Sequence, residues 1–255
     1  TDSLVGSEMC IRDSGNIAVI KLNRPEKRNA LDPETVMMFN EFSEKAKDPK
    51  FKAVIVTGDE SAFCGGADIT AAASEDGMGW ESVEQALNEG YHVGLNNMIY
   101  MDKVVIAAVE GACAGIGCAY YLSSDITVMA KSSFFQIGFS KIALIPDGGS
   151  NWLLTKVVGY QQAFRMAAEA KRVSAEECQS LGMCSEVCED GSALETAMEL
   201  ARHYAELAPR AIYKTKHLMR DSFNKSYEQN LKDEAKLQED MVCLLYTSPS
   251  PRDCQ

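Results

Sequence analysis

The chain is short of positive charge and of histidine. Among its 255 residues, 25 Lys and Arg stand against 37 Asp and Glu, for a net charge of −12. A general nucleic-acid binder needs a basic face for the phosphates, so that class is excluded. The three histidines, His92, His203 and His217, each stand alone in their segments. The nine cysteines are odd in number. Cys113-x4-Cys118 and Cys184-x3-Cys188 have no matching Cys or His pair downstream, so no metal site is expected. The thiols read instead as small apolar residues of a cytoplasmic protein. Thr1–Ser14 lacks the basic-then-apolar order of a signal peptide. No 18-residue charge-free apolar run exists either. The closest, Val104 to Leu122, holds Glu110 and three glycines and reads as a buried strand, turn and helix. Three motifs are also missing: G-x-G-x-x-G fails because Tyr120 stands where its third glycine belongs, and neither a P-loop nor a G-x-S-x-G elbow is found.

What is there is a regular alternation. Ile17–Leu22, Ala53–Thr57, Val104–Val109 and Asp125–Met129 read as strands, the last three buried on both faces. Asp32-Pro33 reads as an N-cap and first-turn proline, opening a helix whose inner face is Val36, Phe39, Phe42 and Ala46. The class is α/β with a largely parallel sheet. Beyond about residue 190 the pattern is helical, with Leu194, Met198, Ala201 and Ala205 as its stripe. This gives a core over 15–190 and a helical appendage over 191–244. The segments 1–14 and 245–255 show neither strand alternation nor a helical stripe. They resemble translated adapter or vector sequence and are expected to be non-native. The small, acidic stretch Ala71–Gly79 is either a loop over a site or a surface connection.

Two glycine-rich corners each follow a buried strand, Phe63–Ile69 and Glu110–Cys118. Glycine lets a ligand approach the backbone, and a helix starting there leaves its first N–H groups without partners. Two such N–H groups aimed at one point make an oxyanion hole. Spacing alone is equally compatible with tight turns that hold no ligand.

Asn23-Arg24-Pro25-Glu26-Lys27-Arg28-Asn29-Ala30-Leu31, the two corners, and Ile145-Pro146-Asp147-Gly148-Gly149 occur in that order. Together they resemble the enoyl-CoA hydratase/isomerase (crotonase) superfamily, from about Gly15 to about Met241. The resemblance implies a spiral of ββα units with a helical C-terminal region, assembled as a homotrimer or a dimer of trimers. It implies acyl-CoA substrates, with coenzyme A as part of the substrate and no separate cofactor. The oxyanion donors become the N–H groups of Ala67 and Ile116, with Gly66 and Gly115 beside them. Arg24, Lys27 and Lys216 become candidates for the CoA phosphates, and Asp68 and Ile69 extend the backbone that meets the adenine. Ordinary solvated charge is the alternative for each basic residue.

Two positions depart from the family pattern. Hydratases carry a glutamate in the second corner and another in the next loop, where this chain has Ala119 and Phe139. Neither can exchange a proton. Asp147 is the acid that remains, as in the family's enoyl-CoA isomerases with a single carboxylate. Phe139, Ile142 and Leu144 are expected to desolvate it, raising its pKa toward the working range. A turn or N-cap role for Asp147 stays open, as do atypical hydration, hydrolysis and acyl-CoA binding without turnover.

Overall fold

The computed structural model describes residues 3–5, 9–69 and 80–247, so Ala71–Gly79 lies outside the described residues. Two sheets carry the fold. The larger has seven strands in the order β1 (Ser3–Val5), β2 (Met9–Asp13), β3 (Ile17–Leu22), β4 (Ala53–Thr57), β6 (Val104–Val109), β8 (Ile126–Ala130) and β11 (Glu186–Cys188). From β3 onward all its pairs are parallel. The smaller sheet runs β10 (Val173–Ser174), β9 (Phe134–Gln136), β7 (Ala112–Ala114) and β5 (Ala62–Cys64). The chain passes β4 to β5, β6 to β7 and β8 to β9, each time leaving the large sheet for the small one before turning into helix. That repeat is a spiral of ββα units.

The four expected strands form, the last one residue later than read. Two further strands form where no pattern was read, over Ser3–Val5 and Met9–Asp13. The second pairs antiparallel with β3 and buries Met9 fully. In the same way, the residues from Leu245 to Thr247 continue a helix.

Helix α1 (Pro33–Lys45) is capped as its sequence dictates: Asp32 accepts from the Thr35 N–H at 2.8 Å. Val36, Phe39, Phe42 and Ala46 are all buried beneath it. The second helical column begins at Val83–Gln85, passes through a π-helical turn, Ala86–Tyr91, and ends in α2 (His92–Tyr100). Such turns are rare and often sit at functional sites. Then come α3 (Gly117–Ser123), α4 (Ser150–Val158), α5 (Tyr160–Glu169), α6 (Ala175–Ser180), α7 (Ala193–Glu206), α8 (Pro209–Ser222) and α9 (Tyr227–Thr247).

The helical region starts where expected, but α7 belongs to the core. Ala193, Ala197 and Ala201 press on Ile55, Ile106 and Val128 of the large sheet. This replaces the stripe read from sequence, since Leu194 is exposed and Met198 only partly buried. Three alanines at four-residue spacing leave no bulk between helix and sheet, so α7 seals the sheet's second face.

Helix α8 is fixed differently, by buried charge. Lys216 donates to Asp125 at 2.8 Å, to the Met98 carbonyl at 2.9 Å and to the Lys103 carbonyl at 3.0 Å. Burial lowers its pKa against the pull of Asp125. Lys216→Met is expected to destabilise the protein by about 2–3 kcal/mol, because it leaves Asp125 with only Arg220 as counter-charge. A lower urea midpoint at unchanged m-value is the expected readout.

Candidate active site

The first corner is built on the Asn23–Leu31 segment. Arg28 and Asn29 take positive φ, and the turn they form presents main-chain groups to the corner. Gly65 N–H donates to the Arg28 carbonyl at 2.8 Å, Leu31 N–H to the Gly66 carbonyl at 2.8 Å and Asp68 N–H to the Leu31 carbonyl at 2.8 Å. Ala67 is thus bracketed by bonded residues, while its own N–H has no backbone acceptor among the described residues. The Ala67 side is exposed.

Arg24 holds this turn together rather than waiting for a phosphate. It is buried, 2.9 Å from Asp32 and 3.3 Å from Asp68, and it donates to the Ala30 carbonyl at 2.6 Å. The expected phosphate role is corrected on that ground, since a guanidinium tied to two carboxylates has little charge left to offer. Asp68 is committed to the same pair. Lys216 is corrected likewise: it lies under α8, saturated by three acceptors. Lys27 and Ile69 are both exposed, as a ligand-facing position requires.

The second corner lies against the first. Gly66, at φ +112, approaches Gly115 so closely that a Cβ on it would sit 3.5 Å from the Gly115 Cα. Gly115 N–H bonds to the Gln136 carbonyl at 3.1 Å, and Cys118 and Ala119 bond back into the turn of α3. Ile116 precedes the helix, and its N–H has no backbone acceptor among the described residues. The two corners therefore bring an uncommitted N–H each to adjoining backbone.

Asp147 stands beside them. Gly148, at φ +59, packs so tightly that a Cβ there would lie 2.7 Å from the Ala119 Cβ and 3.3 Å from the Ile116 Cγ1. The turn-and-cap role belongs to the backbone of Asp147: its carbonyl accepts from the Ser150 N–H at 3.0 Å and the Ser150 hydroxyl at 2.6 Å. Its side chain does something else. The Oδ1 atom is buried with no hydrogen-bond partner among the described residues. Burial pushes the carboxyl up to about 6, against a small opposing hydrogen bond to its own backbone. The Tyr91 and Tyr120 hydroxyls are both raised chiefly by burial, with Asp147 among the smaller causes. A carboxylate oxygen sealed from solvent without a partner is costly and survives where a reaction needs it.

The residues that desolvate Asp147 differ from those read in the sequence. Phe139 is buried, but Ile142 and Leu144 are exposed. Leu95, Ile116 and Ala119 close around the following glycine instead, with Tyr91 and Tyr120 nearby. No local signal marks Tyr91, Leu95 or Tyr120, which arrive from the second helical column and α3. Ala119 is fully buried as well, so neither hydratase position carries an acid.

A model of the Enoyl-CoA hydratase/isomerase family matches residues 12–244. The chain belongs to that family. It is 34% identical over 197 residues to the 1,2-epoxyphenylacetyl-CoA isomerase of Escherichia coli K12, covering 74% of this chain and 72% of that one. It is 28% identical over 232 residues to the 2,3-dehydroadipyl-CoA hydratase of the same strain, covering 91% and 89%. The crystal structure of an enoyl-CoA hydratase from Polaromonas sp. JS666 superposes with a TM-score of 0.85 at 30% identity, over 94% of this chain and 92% of that one. Members so named include isomerases and hydratases, so membership fixes an acyl-CoA-processing enzyme and leaves the reaction to the side chains. Among the described residues no helix is long and apolar enough to cross a membrane.

Proposed function

We propose that this chain is an enoyl-CoA isomerase that converts 3-enoyl-CoA to 2-enoyl-CoA, with Asp147 as its one acid–base group. The observation that carries this reading is a half-buried Asp147 carboxylate, with Oδ1 sealed from solvent and unpartnered among the described residues, beside two corners with unused N–H groups, while Ala119 and Phe139 occupy the hydratase positions. The Ala67 and Ile116 N–H groups hold the thioester oxygen. Ionised Asp147 takes a proton from C2, and the electron pair moves onto that oxygen as a dienolate. Protonated Asp147 then gives the proton to C4, the oxygen's charge returns to the carbonyl, and the double bond lies between C2 and C3. Each amide donor supplies roughly 3–4 kcal/mol at the enolate. Lys27 lies at the exposed edge for the CoA phosphates, which a chain of net charge −12 must meet with local positive charge. Coenzyme A enters as part of the substrate, and no separate cofactor takes part.

Purified protein given 3-enoyl-CoA should yield the conjugated 2-enoyl thioester with no change in mass. The hydratase names among the relatives favour a second reading, in which Asp147 alone activates water. A product one water heavier, formed from 2-enoyl-CoA, would establish it. Binding of both esters without any product would remove both readings.

The assembly proposed is a homotrimer. Leu144, Ile145, Tyr160 and Phe164 are all exposed, Ile145 to 82%, around one apolar groove between the Asp147 loop and α5. Contiguous apolar surface of this kind marks an interface. Phe164→Glu is expected to convert trimers to monomers in sedimentation, and an unchanged mass would contradict this use of the groove.

A further inference from the structure

The cavity next to the Asp147 turn has a mixed wall, apolar and charged. It measures about 410 Å³ and lies between α2, the Gly148–Gly149 turn, the start of α4 and the end of α8. Its near end adjoins the reacting centre, because Gly148 and Leu95 line it and Gly148 packs on Ile116. Leu95, Ile99 and Leu153 make the wall apolar, and Arg220 makes it cationic.

Arg220 is only partly used by the fold. All three of its hydrogen bonds come from Nη2, to the Ser123 carbonyl at 3.0 Å, the Ser124 carbonyl at 3.2 Å and Asp125 at 3.1 Å. The N–H groups on Nε and Nη1 have no partner among the described residues, and neither atom is sealed from solvent. Asp125 is also the counter-ion of Lys216. Two cations thus share one carboxylate, and a positive charge is left over at the cavity wall. Asp221, the acid among the lining residues, is half exposed and shares Lys225, 3.3 Å away, with Asp233 at 2.8 Å. Its field is screened by water, whereas the Arg220 side chain is only 16% exposed.

We propose that this cavity receives the far end of the acyl chain and that Arg220 selects chains ending in a carboxylate. The proposal rests on the acyl-CoA reading above, but not on which reaction follows. A planar guanidinium edge with uncommitted N–H groups fits a carboxylate in two-point contact, and the apolar wall accommodates the methylenes before it.

The test compares two six-carbon 3-enoyl-CoA esters, one ending in methyl and one in carboxylate, by calorimetric binding and by turnover. The whole protein is expected to bind the carboxylate-ended ester about tenfold or more tightly, equivalent to about 1.4 kcal/mol. Arg220→Gln should bring the ratio of the two affinities close to one, and Arg220→Lys should keep part of it. A ratio near one in the unaltered protein would overturn the proposal, and so would a ratio that Arg220→Gln leaves unchanged. Comparing ratios removes any common loss from loosening α8. Preferential binding without a shifted double bond would uphold this selectivity and sink the isomerase reading; a shifted double bond without preference would do the reverse.

Discussion

Asp147→Asn is expected to lower kcat for isomerisation by about 10³-fold or more while leaving the affinity for the CoA ester within a few fold. The amide keeps the size of the carboxylate but can neither take nor return a proton. The same variant should be more stable than the parent near pH 8. In the folded chain this carboxyl titrates near 6, above the ordinary 3.8. Folding therefore favours its protonated form: the group stabilises the fold fully below about pH 4, and that contribution is lost as the pH rises through about 6. At pH 8 the parent must keep a charge in a half-buried position, with one oxygen unpartnered, that asparagine does not have, so the variant's Tm should rise by about 3 °C. Activity runs the other way, since the base works ionised: kcat should climb through about pH 6 and level off above it. A stabler, inactive protein is what a strained catalytic acid leaves behind when neutralised. A variant that loses stability together with activity would make Asp147 a structural residue.

The second large effect is expected from Gly117→Ala. Its Cβ would lie 2.7 Å from the Cys64 Cβ, 2.9 Å from the Cys64 carbonyl oxygen and 2.9 Å from the Cys64 sulfur. Alanine normally favours a helix's first turn over glycine, so propensity predicts a gain. Contact predicts a loss, and contact dominates, because the obstruction includes backbone of the opposite corner. Relief requires the Cys64–Gly66 strand end to separate from α3, which pulls the Ala67 and Ile116 N–H groups apart. A shift of about 1 Å in such groups costs roughly 10²-fold in rate. KM should move much less than kcat, because the distorted pair matters most at the enolate. Adding Cys64→Gly removes two of the three obstructing atoms and should restore part of kcat. Equal falls in kcat and affinity, with no rescue, would place the damage elsewhere.

How far these features could be read from sequence depended on how local their causes are. β4 and β6 were legible residue for residue because an uninterrupted apolar run buried on both faces leaves no other option, and β3 because its apolar run stops at the Asn23-Arg24-Pro25 turn. The α1 cap was legible because Asp32, Pro33 and Thr35 lie within one turn. Met9–Asp13 was not, since a strand alternating Met, Cys, Ile, Arg and Asp at the sheet's antiparallel side declares itself only through its partner β3. The two corners and Asp147 were found from ordered motifs, and the structure brings all three together. Arg24 was read as ligand-facing, and Lys216 as a solvated charge or a CoA contact, because sequence shows a charge but not its counter-ion, and Asp125 lies 91 positions before Lys216. The same blindness hid Arg220, whose leftover charge exists only because two cations from one helix converge on a single acid.

The most direct measurement of the central claim is the structure of the protein with a non-reactive 3-enoyl-CoA analogue bound. The account predicts the thioester oxygen within hydrogen-bond distance of both the Ala67 and Ile116 nitrogens, and an Asp147 oxygen within about 3.5 Å of C2 and of C4. A carboxylate turned away from both carbons, or a thioester oxygen held by other groups, would contradict it.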